Sequence, residues 1–158
     1  MSNILGVSIG TRNVGLAVIR KRKLIDHRIR TFAGKWTQNK CTAITDTMQQ
    51  IIDRNSITQI VLKIPSPSHC SKNIQQLIDG IQETADRHRI TVYRCTIKDL
   101  KCRYIEGKRS NKHEVIAALV SKYPELKCRC VKSKRTYLYH AKLFEAIACA
   151  ELAQGAGH

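Results

Sequence analysis

Two apolar runs separated by a short polar turn open the chain, Ile4 to Ile9 and Val14 to Ile19. Each is six residues long and rich in β-branched side chains. Together they read as an antiparallel pair of buried strands. The turn between them carries Gly10, Asn13 and Gly15. Glycine at a turn permits positive φ and close backbone approach.

The basic tetrad Arg20-Lys21-Arg22-Lys23 follows, and its place is the next hairpin turn. A third run, Leu24 to Phe32, alternates Arg28 and Arg30 with Ile29 and Thr31, as a half-exposed strand does. Residues Thr42 to Asn55 carry Ile44, Met48, Ile51 and Ile52 at helical spacing. Gln59 to Ile64 is short and β-branched, a buried parallel strand ended by Pro65 and Pro67. Ser71 caps a helix running to about Arg87, with Ile74, Leu77, Ile78, Ile81 and Ala85 as its inner stripe. Ile90 to Cys95 is a further short strand. A loop at Gly107–Ser110 precedes a helix that starts at Ser110 or Asn111. A last long helix runs from about Ser133 to Ala153. Helices crossing between parallel strands, with an antiparallel hairpin at one side, make an α/β sheet. The length of 158 residues suits one domain, residues 1–158.

The pattern strand, Gly10-Thr11-Arg12-Asn13, one residue, Gly15, strand resembles the opening of RNase H-like nucleases of the RuvC and YqgF groups. The Lys112 and Val115 pair resembles the Lys-x-x-Val helix start that follows a basic glycine-containing loop in RuvC. With the central strand and the alanine-rich last helix, the resemblance covers most of the chain. It implies an RNase H-like mixed sheet flanked by helices, a Mg²⁺-dependent Holliday junction resolvase as ancestor chemistry, and a homodimer.

Residue by residue, the resemblance also implies a damaged site. Where such nucleases place an aspartate in the first strand this chain has Ser8, and where they place a glutamate in the central strand it has Lys63. Their pair of acids three apart on the last helix corresponds to Lys142 and Glu145, with His140 nearby. Two-metal hydrolysis needs several hard oxygen ligands holding two ions about 3.5–4 Å apart. One carboxylate, one hydroxyl and two ammonium groups do not supply them, so no metal or other cofactor is expected. Glu145 lies on a helical stripe with Leu138, Ala141, Ala148 and Leu152 and is expected to face inward or lie at the stripe's border. A buried carboxylate needs a counter-charge, and Lys63 is the candidate.

Other chemistry is weaker. Ser8 with Lys63 matches a Ser–Lys nucleophile pair, but two residues do not make a site. His140 and Cys149, nine apart on one helix, do not face each other. Cys128-Arg-Cys130 has no second ligand pair at zinc spacing, and His69-Cys70 reads as loop.

Charge is the strongest compositional signal. Lys and Arg number 28 against 12 Asp and Glu, a net charge of +16. That calls for a polyanion, most simply nucleic acid. Many of these cations fall between 101 and 135, and the candidate phosphate contacts are Arg12, Lys108, Arg109, Lys112, Lys134 and Arg135. Tyr137 and Tyr139 are candidates for base stacking or for packing. Seven cysteines without framework spacing suit a reducing, cytoplasmic setting. No apolar run is long enough for a membrane span, no signal peptide is visible, and no basic amphipathic helix favours a membrane surface.

The sequence therefore reads as a RuvC-like domain that binds structured nucleic acid, branched or duplex DNA, with nuclease activity impaired or lost. An active endonuclease that recruits Asp26 or Asp99 beside Glu145, with Mg²⁺ as its cofactor, is the alternative, and a non-catalytic interaction subunit is the third.

Overall fold

The computed structural model describes residues 2–9, 13–31, 35–65, 70–104, 112–129 and 134–156, with side chains throughout except at 101–104, 112–115, 127–129, 134–140 and 154–156. Five strands form one mixed sheet: β1 (Asn3–Ser8), β2 (Asn13–Arg20), β3 (Lys23–Thr31), β4 (Gln59–Lys63) and β5 (Thr91–Cys95). Their order across the sheet is β3-β2-β1-β4-β5. The β1–β2 and β2–β3 pairs are antiparallel, and β1–β4 and β4–β5 are parallel. The expected hairpin plus parallel strands is thus what forms.

Among the described residues there are five helices: α1 (Gln38–Asn55), α2 (Lys72–Arg87), α3 (Ile97–Tyr104), α4 (Lys112–Lys122) and α5 (Lys134–Ala156). A short 3-10 turn at Pro124–Arg129 links α4 to α5. Strand alternation decides which helix meets which residue. Leu5, Val7, Leu16, Val18, Ile60 and Leu62 face one side, where Ile44, Met48 and Ile51 of α1 and Leu77 and Ile81 of α2 pack on them. Ile4, Ala17, Ile19 and Val61 face the other side, against Phe144, Ile147 and their neighbours on α5. Both faces of β1, β2 and β4 are therefore buried, which is why these strands read as continuous apolar runs.

Gly6 and Gly15 belong to the second face. Each strand presents no side chain there because α5 lies directly on the backbone. A Cβ on Gly6 would stand 1.9 Å from the Ala146 carbonyl oxygen, and one on Gly15 would stand 1.9 Å from the Lys142 carbonyl oxygen. This corrects the reading of Gly15 and Asn13 as turn residues. Both lie in β2, where Asn13 Oδ1 accepts a hydrogen bond from Thr31 Oγ1 at 2.9 Å. Gly15 is required by helix packing rather than by chain reversal.

Helix starts follow capping chemistry. Ser71 caps α2 as expected, its hydroxyl accepting from the Ile74 amide. Helix α1 begins at Gln38, earlier than the apolar stripe suggested, because the Thr37 hydroxyl caps it by accepting from the Lys40 amide. Helix α3 had no expected counterpart. Thr96 and Asp99 form a reciprocal cap, Thr96 N donating to Asp99 Oδ2 at 2.8 Å and Asp99 N donating to Thr96 Oγ1 at 3.3 Å.

The basic tetrad does sit at the β2–β3 hairpin tip. Lys21 and Arg22 are its two central residues, with φ of 51° and 63°. A two-residue hairpin demands positive φ, a place normally taken by Asn-Gly. Side chains with a Cβ cost about 1 kcal/mol each there. Just beyond, Ile19 pairs with Leu24 and Val18 with Asp26, so Ile25 is an extra residue in a bulge and stands exposed.

Candidate functional site

The two parallel strands end side by side. Register pairs Gly15 with Ser8, Ser8 with Lys63, and Lys63 with Cys95. Those four residues form one row across β2, β1, β4 and β5 at the carboxyl edge of the parallel strands. Helix α5 crosses over the row. Lys142 lies on Gly15, and Glu145 reaches Ser8 and Lys63. One turn later, Cys149 meets Cys95 with 3.5 Å between sulfurs.

Glu145 is the centre. Its Oε2 accepts a hydrogen bond from the Ser8 hydroxyl at 2.6 Å, lies 3.1 Å from Lys63 Nζ, and lies 3.6 Å from Lys142 Nζ. Ser8 is fully buried, and the Lys63 and Glu145 side chains are 9% and 7% exposed. Lys142 is half-buried at the rim. The structure brings together all four residues that the sequence assigned to the site, and Glu145 faces inward with Lys63 as its counter-charge. The cluster carries one net positive charge.

The Cys149 thiol is held well above its usual range, by burial first and then by its hydrogen bond with Cys95. Sequence reading missed this thiol pair, because it depends on where α5 passes over β5.

Asp26 and Asp99 do not join the site. Asp26 pairs with Arg28 of its own strand at 3.0 Å, and Asp99 is spent on the α3 cap. This corrects the idea that they rebuild a metal centre beside Glu145. A divalent ion is implied by the nucleases this chain resembles, and the residues present do not fit one. The single carboxylate already has two ammonium groups against it, and like charge repels a metal. Among the described residues no group of three His, Cys, Asp or Glu stands where it could hold an ion.

Of the six candidate phosphate contacts, Arg12, Lys108 and Arg109 lie outside the described residues. Lys112, Lys134 and Arg135 fall in α4 and α5, but their side chains lie outside the described set, as do those of Tyr137, Tyr139 and His140. His69, Cys128 and Cys130 likewise lie outside it, whereas Cys41, Cys70, Cys95 and Cys149 are free thiols. Among the described residues no helix is long and apolar enough to cross a membrane.

A Thermus thermophilus RuvC in complex with a Holliday junction substrate superposes with a TM-score of 0.81, covering 99% of this chain and 95% of that one at 11% identity. The fold is that of RuvC. A second Thermus thermophilus RuvC structure gives 0.78 at 13% identity, covering 98% of this chain and 96% of that one. The yeast mitochondrial Holliday junction resolvase Ydc2 gives 0.66 at 10% identity, covering 99% and 81%. No family model matches the sequence, and no curated protein matches it. The likeness is thus one of RNase H-like architecture, carried by backbone and not by sequence.

Proposed function

We propose that this RuvC-like domain binds structured nucleic acid, branched or duplex DNA, and holds it without efficient cleavage. The observation that supports this most is the occupied carboxylate: Glu145 Oε2 is bonded by Ser8 and flanked by Lys63 and Lys142. Where the fold family places acids around metal, this chain places cations around one acid. A net positive cluster at a sheet edge repels Mg²⁺, and Lys142 at its rim is the cation there within reach of a phosphodiester. The overall charge of +16 favours the same partner. Solved RuvC structures include one with a Holliday junction substrate, so a four-way junction is the first ligand to try. A homodimer, with a junction arm on each protomer, belongs to the same reading.

The test is a binding and cleavage assay on four-way, duplex and single-stranded DNA, with Mg²⁺ or Mn²⁺ present. Tight, salt-sensitive binding of the junction with intact strands is expected. Metal-dependent cutting by the purified chain would overturn the reading.

A further inference from the structure

The two ends of the sheet differ in a way the site does not explain. The Ser8–Glu145 cluster lies at the carboxyl edge of β1 and β4. The β2–β3 hairpin tip lies at the other edge, beside Asn3, where β1 begins. Five residues of strand separate them, roughly 15–20 Å. Arg20, Lys21, Arg22 and Lys23 are all exposed at that tip.

The loops that share this edge extend the charge. Arg54 lies in the last turn of α1 and Arg87 in the last turn of α2, and exposed Arg89 follows just before β5. These seven cations face two carboxylates from the same segments, Asp53 and Asp86. A cation at a helix C-terminus is favoured by the macrodipole, which accounts for Arg54 and Arg87. It extends to Arg89, one residue past the α2 cap, but not to Lys21 and Arg22 at the hairpin, which share its backbone region. Those three adopt positive φ, at 51°, 63° and 57°. Among the described residues the fourth non-glycine residue of that kind, Ser56, is on this edge too, in the loop leading to β4. Local folding would put Asn or Gly at such places. The hairpin backbone does not itself call for long cations at Lys21 and Arg22.

The edge is also tied together by polar contacts. Asn3 Nδ2 donates to the Asn55 and Ser56 carbonyls, both at 3.0 Å, and His88 Nε2 lies 3.5 Å from Asp53 Oδ1 across the ends of α1 and α2. From β2 to β5 the row crosses three strand spacings, about 15 Å. That length faces several backbone phosphates of a duplex. The tip offers one exposed apolar side chain, Ile25, too little for interfacial insertion into lipid.

We propose that this edge is a second nucleic-acid surface, contacting sugar-phosphate backbone without reading bases, so that one chain engages two duplex segments on opposite ends of its sheet. It rests on the nucleic-acid reading above. The test replaces the three cations at positive φ with residues that adopt that backbone readily: Lys21→Asn, Arg22→Gly and Arg89→Asn together. The variant should fold at least as well as wild type by thermal melting. Native mass spectrometry with a short blunt duplex at low salt should show two duplexes per wild-type chain and one per variant chain. The salt dependence of total binding should flatten by about 0.9 in log–log slope for each phosphate that the variant no longer neutralises. A variant that still takes two duplexes, or a wild type that takes one, overturns this inference and leaves the function reading standing. A wild type that takes none overturns this inference, and the function reading falls with it if the four-way junction is not bound either. A variant that keeps both duplexes but no longer binds phosphatidylserine vesicles would assign the edge to a membrane instead.

Discussion

Lys63 Nζ and Glu145 Oε2 lie 3.1 Å apart in a site closed to water, one at the end of the central strand and the other on the helix that crosses it. The pair joins two elements far apart in the chain. Removing one partner of a buried ion pair leaves the other uncompensated, at a cost of roughly 3–5 kcal/mol. Lys63→Met and Glu145→Gln should each destabilise by that order. The double variant should recover much of that deficit. Urea titrations of the three variants measure it, and additive effects below about 1 kcal/mol would show that the pair contributes nothing. Lys142 also faces Glu145, so Lys63→Met should be the milder of the two single changes.

Rebuilding the acids tests the site from the other direction. Ser8→Asp, Lys63→Glu and Lys142→Asp together would gather four carboxylates where one now sits. Without metal they repel one another, and the melting temperature should fall well below wild type. Mn²⁺ at roughly 100 times its dissociation constant should return about 2.7 kcal/mol, whereas wild type should show no shift with the metal. Differential scanning calorimetry with and without Mn²⁺ reads both outcomes. A wild type stabilised by micromolar Mn²⁺ would contradict the view of Lys63 as a resident counter-ion.

A second buried carboxylate ties α5 to α4. Glu151 Oε2 lies 2.7 Å from Lys122 Nζ, and its Oε1 accepts from the Tyr123 hydroxyl. Burial, and next the hydrogen bond to Glu151, push the Tyr123 hydroxyl well above its ordinary value of 10.0. The folded state therefore holds this proton more tightly than the unfolded chain. Its contribution is complete below about pH 10 and is lost progressively as pH rises above it. Stability should drop more steeply above about pH 10 in wild type than in Tyr123→Phe. Denaturant midpoints across the alkaline range for the two proteins check it.

The thiols should divide by burial. Cys149 and Cys41 are both raised, chiefly by burial, and the reactive form is the thiolate. In mildly alkaline buffer a disulfide reagent should label half-buried Cys70 quickly and Cys41, Cys95 and Cys149 no faster than the protein unfolds. Peptide mapping after timed quenching separates them. Rapid labelling of Cys149 in the folded protein would mean that α5 lifts from the sheet.

The sheet was legible in the sequence because β1, β2 and β4 are buried on both faces and therefore unmixed, while β3 alternates as a half-exposed strand does. The site was legible because Ser8 and Lys63 end adjacent strands and Glu145 follows the helical stripe through Ala141 and Ala148. Less visible were features set by tertiary approach. Gly15 looks like a turn residue until α5 is placed on it. The start of α1 is fixed by Thr37, ahead of its apolar stripe, and α3 is announced only by the Thr96–Asp99 cap. The Cys95–Cys149 contact depends on the path α5 takes across β5, which no local pattern encodes.

Gly6→Ala and Gly15→Ala should each be severe, since the added carbon would meet a helix carbonyl oxygen at 1.9 Å. Overpacking of ordinary cores costs about 1–3 kcal/mol, and contact with backbone that cannot rotate away should exceed that range. Soluble yield and urea midpoint decide it.

Those two glycines separate architecture from chemistry. They set how near α5 comes to the strands, and neither touches the carboxylate. The seat of the helix is thus set apart from the side chains at Ser8, Lys63 and Lys142. Such a seat fixes the backbone and leaves the site chemistry open, in keeping with a backbone that overlays a RuvC at a TM-score of 0.81 with 11% identity.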